Sequence, residues 1–180
     1  MNLPTPFAYL ANEPGPNILL AALADFGLHE VPGAASAPRI LEMARQVGAS
    51  SYYTNDGTPW CALSMSAWAR QAGFPLPPDP LRALSWLHFG NPVTGPAMLG
   101  DVLVKSRDGG GHVGLYVGEN AAGTHYAVLG GNQGDCVCIA WFAKAVFTVR
   151  RCAWKVAQPA NVGRRVVAAG PGGSTTVKQS

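Results

Sequence analysis

Charge is scarce in this chain. Only 13% of its 180 residues are Asp, Glu, Lys or Arg, against 48% apolar. That balance excludes a disordered acidic or basic tail protein. Long apolar runs are missing as well: none approaches the roughly 18 residues that a membrane-spanning helix needs. The N-terminus, Met1-Asn2-Leu3-Pro4-Thr5-Pro6, has neither a basic stretch nor a continuous apolar core, so it does not read as a secretory signal. Cysteine occurs four times, at 61, 136, 138 and 152. Without a leader, a disulfide framework is not expected. Cys136 and Cys138 would share one face of a strand. No CxxC or HxxxH spacing supplies further soft ligands, so no metal site is expected. Those two and Cys152 read as packing residues. Acidic residues are absent after Asp135, whereas seven of the thirteen basic ones come at or after Lys144. The basic C-terminal part suits contact with an anionic surface, or is simply a solvated tail.

What is present fits one domain plus a little. A chain of this length buries about 70% of its unfolded surface and needs no staple. Gly (22) and Pro (15) are frequent, which implies many turns. Residues 1–16 read as an irregular arm and 158–180 as a flexible basic tail, leaving 17–157 as the folded domain. Helical apolar spacing predicts a helix over 17–26, ended by Gly27, and another over 38–47 with Pro38 in its first turn and Gly48 past its end. The best-marked helix follows Thr58-Pro59-Trp60-Cys61, with Thr58 as N-cap and Gly73 and Pro75 as stops. A short helix is expected over 81–89. From Gly100 the period changes to two. Strands are expected over 101–106, 112–119, 126–129, 136–141 and 146–152, with Gly109-Gly110-Gly111 as a flexible connector. The connections are too short for crossover helices, so the sheet should be antiparallel and the class α+β.

Cys61 would be the third residue of its helix. There the unpaired N–H groups and the positive end of the helix dipole stabilise a thiolate. The bland alternative is a small buried hydrophobe. His112 follows three glycines, and Gly114 leaves open space beside the imidazole, into which a helix start bearing a thiol would fit. A third group should orient the ring from its other nitrogen. Asn132, in Gly130-Gly131-Asn132-Gln133, is the preferred candidate and His125 the second. The Cys61 backbone N–H would hold an oxyanion, with Tyr52, Tyr53 or Asn55 as further donors. Asp56 either shapes the preceding loop or contacts a cationic or amide group. Trp60 and Gln133 complete the candidate substrate-binding set.

In order along the chain, Thr58-Pro-Trp-Cys61-Ala, Gly100-Asp101-Val-Leu-Val, Gly111-His112-Val-Gly-Leu-Tyr-Val-Gly118 and Leu129-Gly-Gly-Asn132-Gln133-Gly-Asp135 resemble the CHAP and NlpC/P60 cysteine peptidases. The likeness is to the phage-encoded and bacterial branch with TPWC and GGNQ motifs, and it covers about residues 17–153. It implies a papain-like α+β fold, with helices on a roughly five-stranded antiparallel sheet. It implies hydrolysis of amide bonds in peptidoglycan stem peptides or cross-links, with Cys61 as nucleophile, His112 as base and Asn132 as orienting residue. Many CHAP members carry a Glu where this chain has Gly130, and NlpC/P60 members often use a His as third residue. No cofactor, metal, nucleic acid or membrane span is implied. The expected partner of a monomer is peptidoglycan, with an immunity protein if the chain is a secreted effector. An endolysin or effector lacking a signal would reach the wall through a holin or a secretion system. An acyltransferase on the same scaffold and a non-catalytic phage structural module are the alternatives.

Overall fold

The computed structural model describes residues 2–107, 109–154 and 162–170, with the Arg107 side chain excepted. Three α-helices precede the sheet: α1 (Asn17–Ala24), α2 (Pro38–Val47) and α3 (Cys61–Gln71). The strands are β1 (Asn91–Pro92), β2 (Val102–Arg107), β3 (Gly110–Glu119), β4 (His125–Gly130), β5 (Cys138–Ala143) and β6 (Phe147–Arg151). They form one sheet in the order β1-β6-β2-β3-β4-β5, with every strand pair antiparallel. The class is therefore α+β, with helices packed on an antiparallel sheet, an arrangement consistent with a papain-like fold. No helix among the described residues is long and apolar enough to cross a membrane.

Strand alternation sorts the core into two sides. Val113, Leu115 and Val117 of β3 join Val102, Val104, Ala127 and Leu129 against Ile18, Leu63, Met65 and Trp68 of the helices. Leu103, Tyr116, Tyr126, Val128 and Phe142 build a smaller cluster on the other side. α3 is the central helix, with nine consecutive buried residues from Cys61 to Ala69. A helix buried nearly all round belongs inside a core rather than on it.

Several expectations need correction. The sheet has six strands, because Asn91–Pro92 pairs with Arg150 and Arg151 at the edge. A Pro in a two-residue edge strand gives no periodic signal. The glycine run is not a flexible connector: β3 begins at Gly110, which pairs with Arg107, and Gly111 pairs with Ser106. Residues 1–16 are not all irregular. Thr5–Asn12 forms a 3₁₀ helix that buries Phe7 and Leu10. The expected helix over 81–89 is a 3₁₀ helix, Ala83–His88.

The tail expected over 158–180 is attached where it is described. Within 162–170, Val162 and Ala168 are buried. Leu99 N–H donates to Arg164 O at 3.0 Å, Glu119 N–H to Val166 O at 2.8 Å, and Ala168 N–H to Glu119 O at 2.9 Å. Arg164 pairs with Glu13, and Arg165 with Glu119. Two of the cations expected to face an anionic surface therefore bond to the body of the protein. The remainder of that span, 158–161 and 171–180, lies outside the described residues.

Candidate active site

α3 starts later than its sequence signature implies. Trp60, not Thr58, is the N-cap, so Cys61 is the first helical residue rather than the third. The first helical bond runs from Ser64 N–H to Trp60 O at 2.9 Å. Pro59 stays outside the helix, and its carbonyl accepts the Tyr53 hydroxyl at 3.0 Å. No side chain of the local segment caps the helix. The cap comes from across the molecule: Asn132 Oδ1 accepts the Trp60 N–H at 3.3 Å. Asn132 has φ 57°, a left-handed conformation that Asn tolerates better than most residues. Its Nδ2 donates to Glu30 Oε1 at 3.0 Å, and the same oxygen accepts the Trp60 indole N–H at 2.6 Å. Glu30 thus ties the start of α3 to the strand end that carries Asn132. Burial raises the Glu30 pKa, the Trp60 bond opposes that, and Asp135 and Asp56 add to the rise.

Cys61 is buried at 8% exposure, on the helix side of the sheet. Tyr53 lies beside it. The phenol is pushed up well beyond its ordinary range, first by burial and then by the neighbouring titratable Cys61 and Tyr52. His112 is the third residue of β3, 2% exposed, and shares its face with Tyr116. Its ring lies 5.9 Å from that of Phe142 at 41°. Lys105, directly opposite it on β2, places its ammonium 4.4 Å over the same Phe142 ring. The space at Gly114 is filled by β4 rather than by the helix start: a Cβ there would meet Val128 Cγ1 at 2.6 Å and Leu129 O at 2.9 Å.

At the end of β4 the His112 ring and the first turn of α3 each approach one of two adjacent glycines. A Cβ on Gly130 would lie 3.3 Å from His112 Nε2. A Cβ on Gly131 would lie 2.4 Å from Ser64 Oγ and 2.6 Å from Trp60 Cζ3. The imidazole therefore rests against one glycine and the first turn of α3 against the next. Consecutive Cα atoms are only about 3.8 Å apart. Two residues without side chains make the strand thin enough for both groups to close on it.

Gln133 holds the ring. His112 Nε2 lies 3.0 Å from Gln133 Oε1. The Gln133 amide nitrogen donates to Val128 O at 3.1 Å and Cys138 O at 2.7 Å, which sets the amide orientation. Oε1 can only accept, so Nε2 carries a proton, and whenever the ring is neutral its lone pair is on Nδ1. The partner at Nε2 is thus Gln133 rather than Asn132, whose amide is bonded to Trp60 and Glu30. A Cβ on Gly130 would stand 3.1 Å from Gln133 Oε1, so the glycine makes the room that the Gln133 amide occupies.

The remaining expected residues fall into place around this joint. Trp60 is fully buried, so its indole packs under the site and does not meet a substrate. Gln133, 1% exposed, is likewise enclosed. Tyr53 gives its hydroxyl proton to Pro59, not to an oxyanion. Asp56 shapes the loop: its Oδ2 accepts the N–H groups of Val31 and Ala37, each at 2.8 Å. Asn55 Oδ1 accepts the Gly57 N–H at 3.1 Å. Tyr52 is 65% exposed and meets Tyr53 edge-on at 5.1 Å. His125 opens β4 at the end remote from Gly130 and bonds Thr124 at 2.9 Å. At about 3.3 Å per residue it is too far from His112 to orient it. Glu30 was missed by sequence reasoning, since it sits in a loop without a motif. With Asp56 and Asp135 it lines a cleft of about 500 Å³. Among the described residues no three His, Cys, Asp or Glu side chains are grouped so that they could hold a metal ion.

Compared with known proteins, the chain matches no family model, no curated sequence and no solved structure.

Proposed function

We propose that the chain is a cysteine hydrolase of amide bonds, with peptidoglycan stem peptides or cross-links as substrate. The substrate class rests on the motif resemblance to CHAP and NlpC/P60 peptidases. The chemistry rests on one observation: the glycine pair at 130 and 131 seats the His112 ring and the first turn of α3 on adjacent residues.

In this reading Gln133 keeps the proton on His112 Nε2 and leaves Nδ1 as the base. Cys61 and His112 approach from opposite faces of the sheet, so in this reading they meet past the side-chain-free end of β4. There Nδ1 takes the Cys61 proton, and the thiolate attacks the carbonyl carbon. The N–H groups that open α3 stabilise the tetrahedral oxyanion. The imidazolium then gives its Nδ1 proton to the leaving amine, and water cleaves the thioester. Asn132 acts on the nucleophile's side by capping the helix that carries it. A neutral amide orients the ring without the charge a carboxylate would bring.

The test is mass spectrometry of peptidoglycan fragments after digestion by the wild-type protein and by Cys61→Ala. New free amine and carboxyl ends with the wild type, and none with the variant, are expected. Equal cleavage by the variant would overturn the assignment of Cys61. Fragments carrying a transferred acyl group in place of a free carboxyl would replace hydrolysis by acyl transfer.

A further inference from the structure

Cys136 and Cys138 take no part in the proposed reaction, yet they are built into the support of its imidazole. Both thiols donate to one acceptor, the main-chain carbonyl of Gln133, at 3.2 and 3.1 Å. The sulfurs are therefore no farther apart than the sum of those two lengths. The backbone bends at Val137 between them, which draws their Cα atoms closer than a straight strand would. Gln133 N–H donates to Cys136 O at 3.0 Å. The Gln133 amide donates to Cys138 O at 2.7 Å and approaches Cys138 Sγ at 3.8 Å. The residue that holds His112 Nε2 is thus bonded at both its main chain and its side chain to this cysteine pair.

We propose that Cys136 and Cys138 form a reversible dithiol–disulfide site, oxidised by hydrogen peroxide, that alters the seat of His112 through Gln133. Their environments divide the labour. When Cys138 loses its proton, the Cys136 S–H can turn from Gln133 O to the Cys138 sulfur; that bond favours the Cys138 thiolate and, with burial, pushes the Cys136 thiol up. Cys138 is partly exposed and Cys136 buried, so Cys138 meets the oxidant first. Its thiolate displaces one peroxide oxygen as hydroxide, which takes a proton to become water, and leaves a sulfenic acid. Cys136 sulfur then attacks the Cys138 sulfur, and the second oxygen leaves as water with the Cys136 proton. Two thiols and one peroxide give one disulfide and two waters. The disulfide carries no S–H, so Gln133 O loses both donors at once, and closing the S–S bond moves the strand segment on which the Gln133 amide is anchored.

The experiment uses the full chain carrying Cys61→Ser, which removes the candidate nucleophile as a competing thiol. Hydrogen peroxide is the probe. Peptide mass mapping after alkylation should show the segment with residues 136 and 138 losing two hydrogens and both alkylation sites, restored by dithiothreitol. Cys138→Ser should abolish that change. The His112 ring Nε2–H resonance should shift on oxidation and return on reduction. Two alkylatable thiols after peroxide, or cysteines carrying two or three oxygens, would overturn the disulfide. A disulfide without movement of the His112 resonance would overturn the link to Gln133. None of these readouts uses peptidoglycan cleavage, so failure here leaves the proposed hydrolase standing, and failure of the hydrolase leaves this site standing.

Discussion

Replacing Gly131 by Ala tests the joint on which the proposed reaction rests. The new Cβ would sit 2.4 Å from Ser64 Oγ and 2.6 and 2.9 Å from two carbons of the Trp60 ring. Carbon atoms prefer about 3.5–4.0 Å, so something must retreat by about 1 Å. Ser64 and Trp60 are both fully buried, and the Trp60 indole is held by Glu30 at 2.6 Å. The start of α3 must therefore lift from the strand end. Overpacking of this kind costs about 1–3 kcal/mol. At about 2–4 °C per kcal/mol for a chain of this size, the thermal midpoint should fall by about 2–12 °C. A displacement of about 1 Å between reacting groups costs on the order of 100-fold in rate. kcat should therefore collapse while KM changes little. Gly95→Ala is the control, because a Cβ there meets nothing within 4 Å. Thermal unfolding by circular dichroism, with peptidoglycan cleavage measured well below the midpoint, gives both readings. A variant that melts with the wild type and cleaves within twofold of its rate would refute the argument that strand and helix close on this glycine.

Three further outcomes are expected. Gln133→Leu removes the acceptor of His112 Nε2 and the donor to Val128 O and Cys138 O. About 3 kcal/mol of stability should go, measured by urea unfolding, and nitrogen-15 spectra should show His112 as a mixture of tautomers instead of one. The Asp56 carboxyl is held below its usual range: burial pushes it up, but the N–H groups of Val31 and Ala37 outweigh that. Its stabilising contribution is present above the unfolded value near pH ~4 and is lost as pH falls through the lower folded value. Asp56→Asn should flatten that part of the stability–pH curve, and an unchanged acid limb would contradict it. Arg164→Glu would set a carboxylate against Glu13, whose side chain is 4% exposed. A loss of about 2 kcal/mol is expected, and a stability equal to wild type would show that residues 162–170 contribute nothing to the folded body.

Much of the fold was legible because it follows from local pattern. Pro38 and Gly48 bracket α2 at the residues where the sequence places them, and alternation from Gly100 onward marks β2 to β6 to within two residues. The misses share one cause. Thr58 and Pro59 carry every local sign of a helix start, but Asn132, 72 residues away, caps Trp60 instead. The Thr5–Asn12 helix and the segment 162–170 look like loose ends because each buries only a few apolar groups of its own. They are ordered by partners elsewhere, as Tyr9 is by Val117 O and Arg165 by Glu119.

The site divides along the same line. Residue type and spacing alone marked a thiol near a helix N-terminus, a histidine near the start of a strand and an amide-bearing turn after two glycines. They could not say which amide meets which group. Asn132 and Gln133 are adjacent and chemically alike, and only their backbone conformations send one to the helix and the other to the imidazole. The choice rests on a left-handed φ at Asn132 and on two carbonyls that orient the Gln133 amide. Both are consequences of how β4 and β5 pair, which no local window of sequence contains.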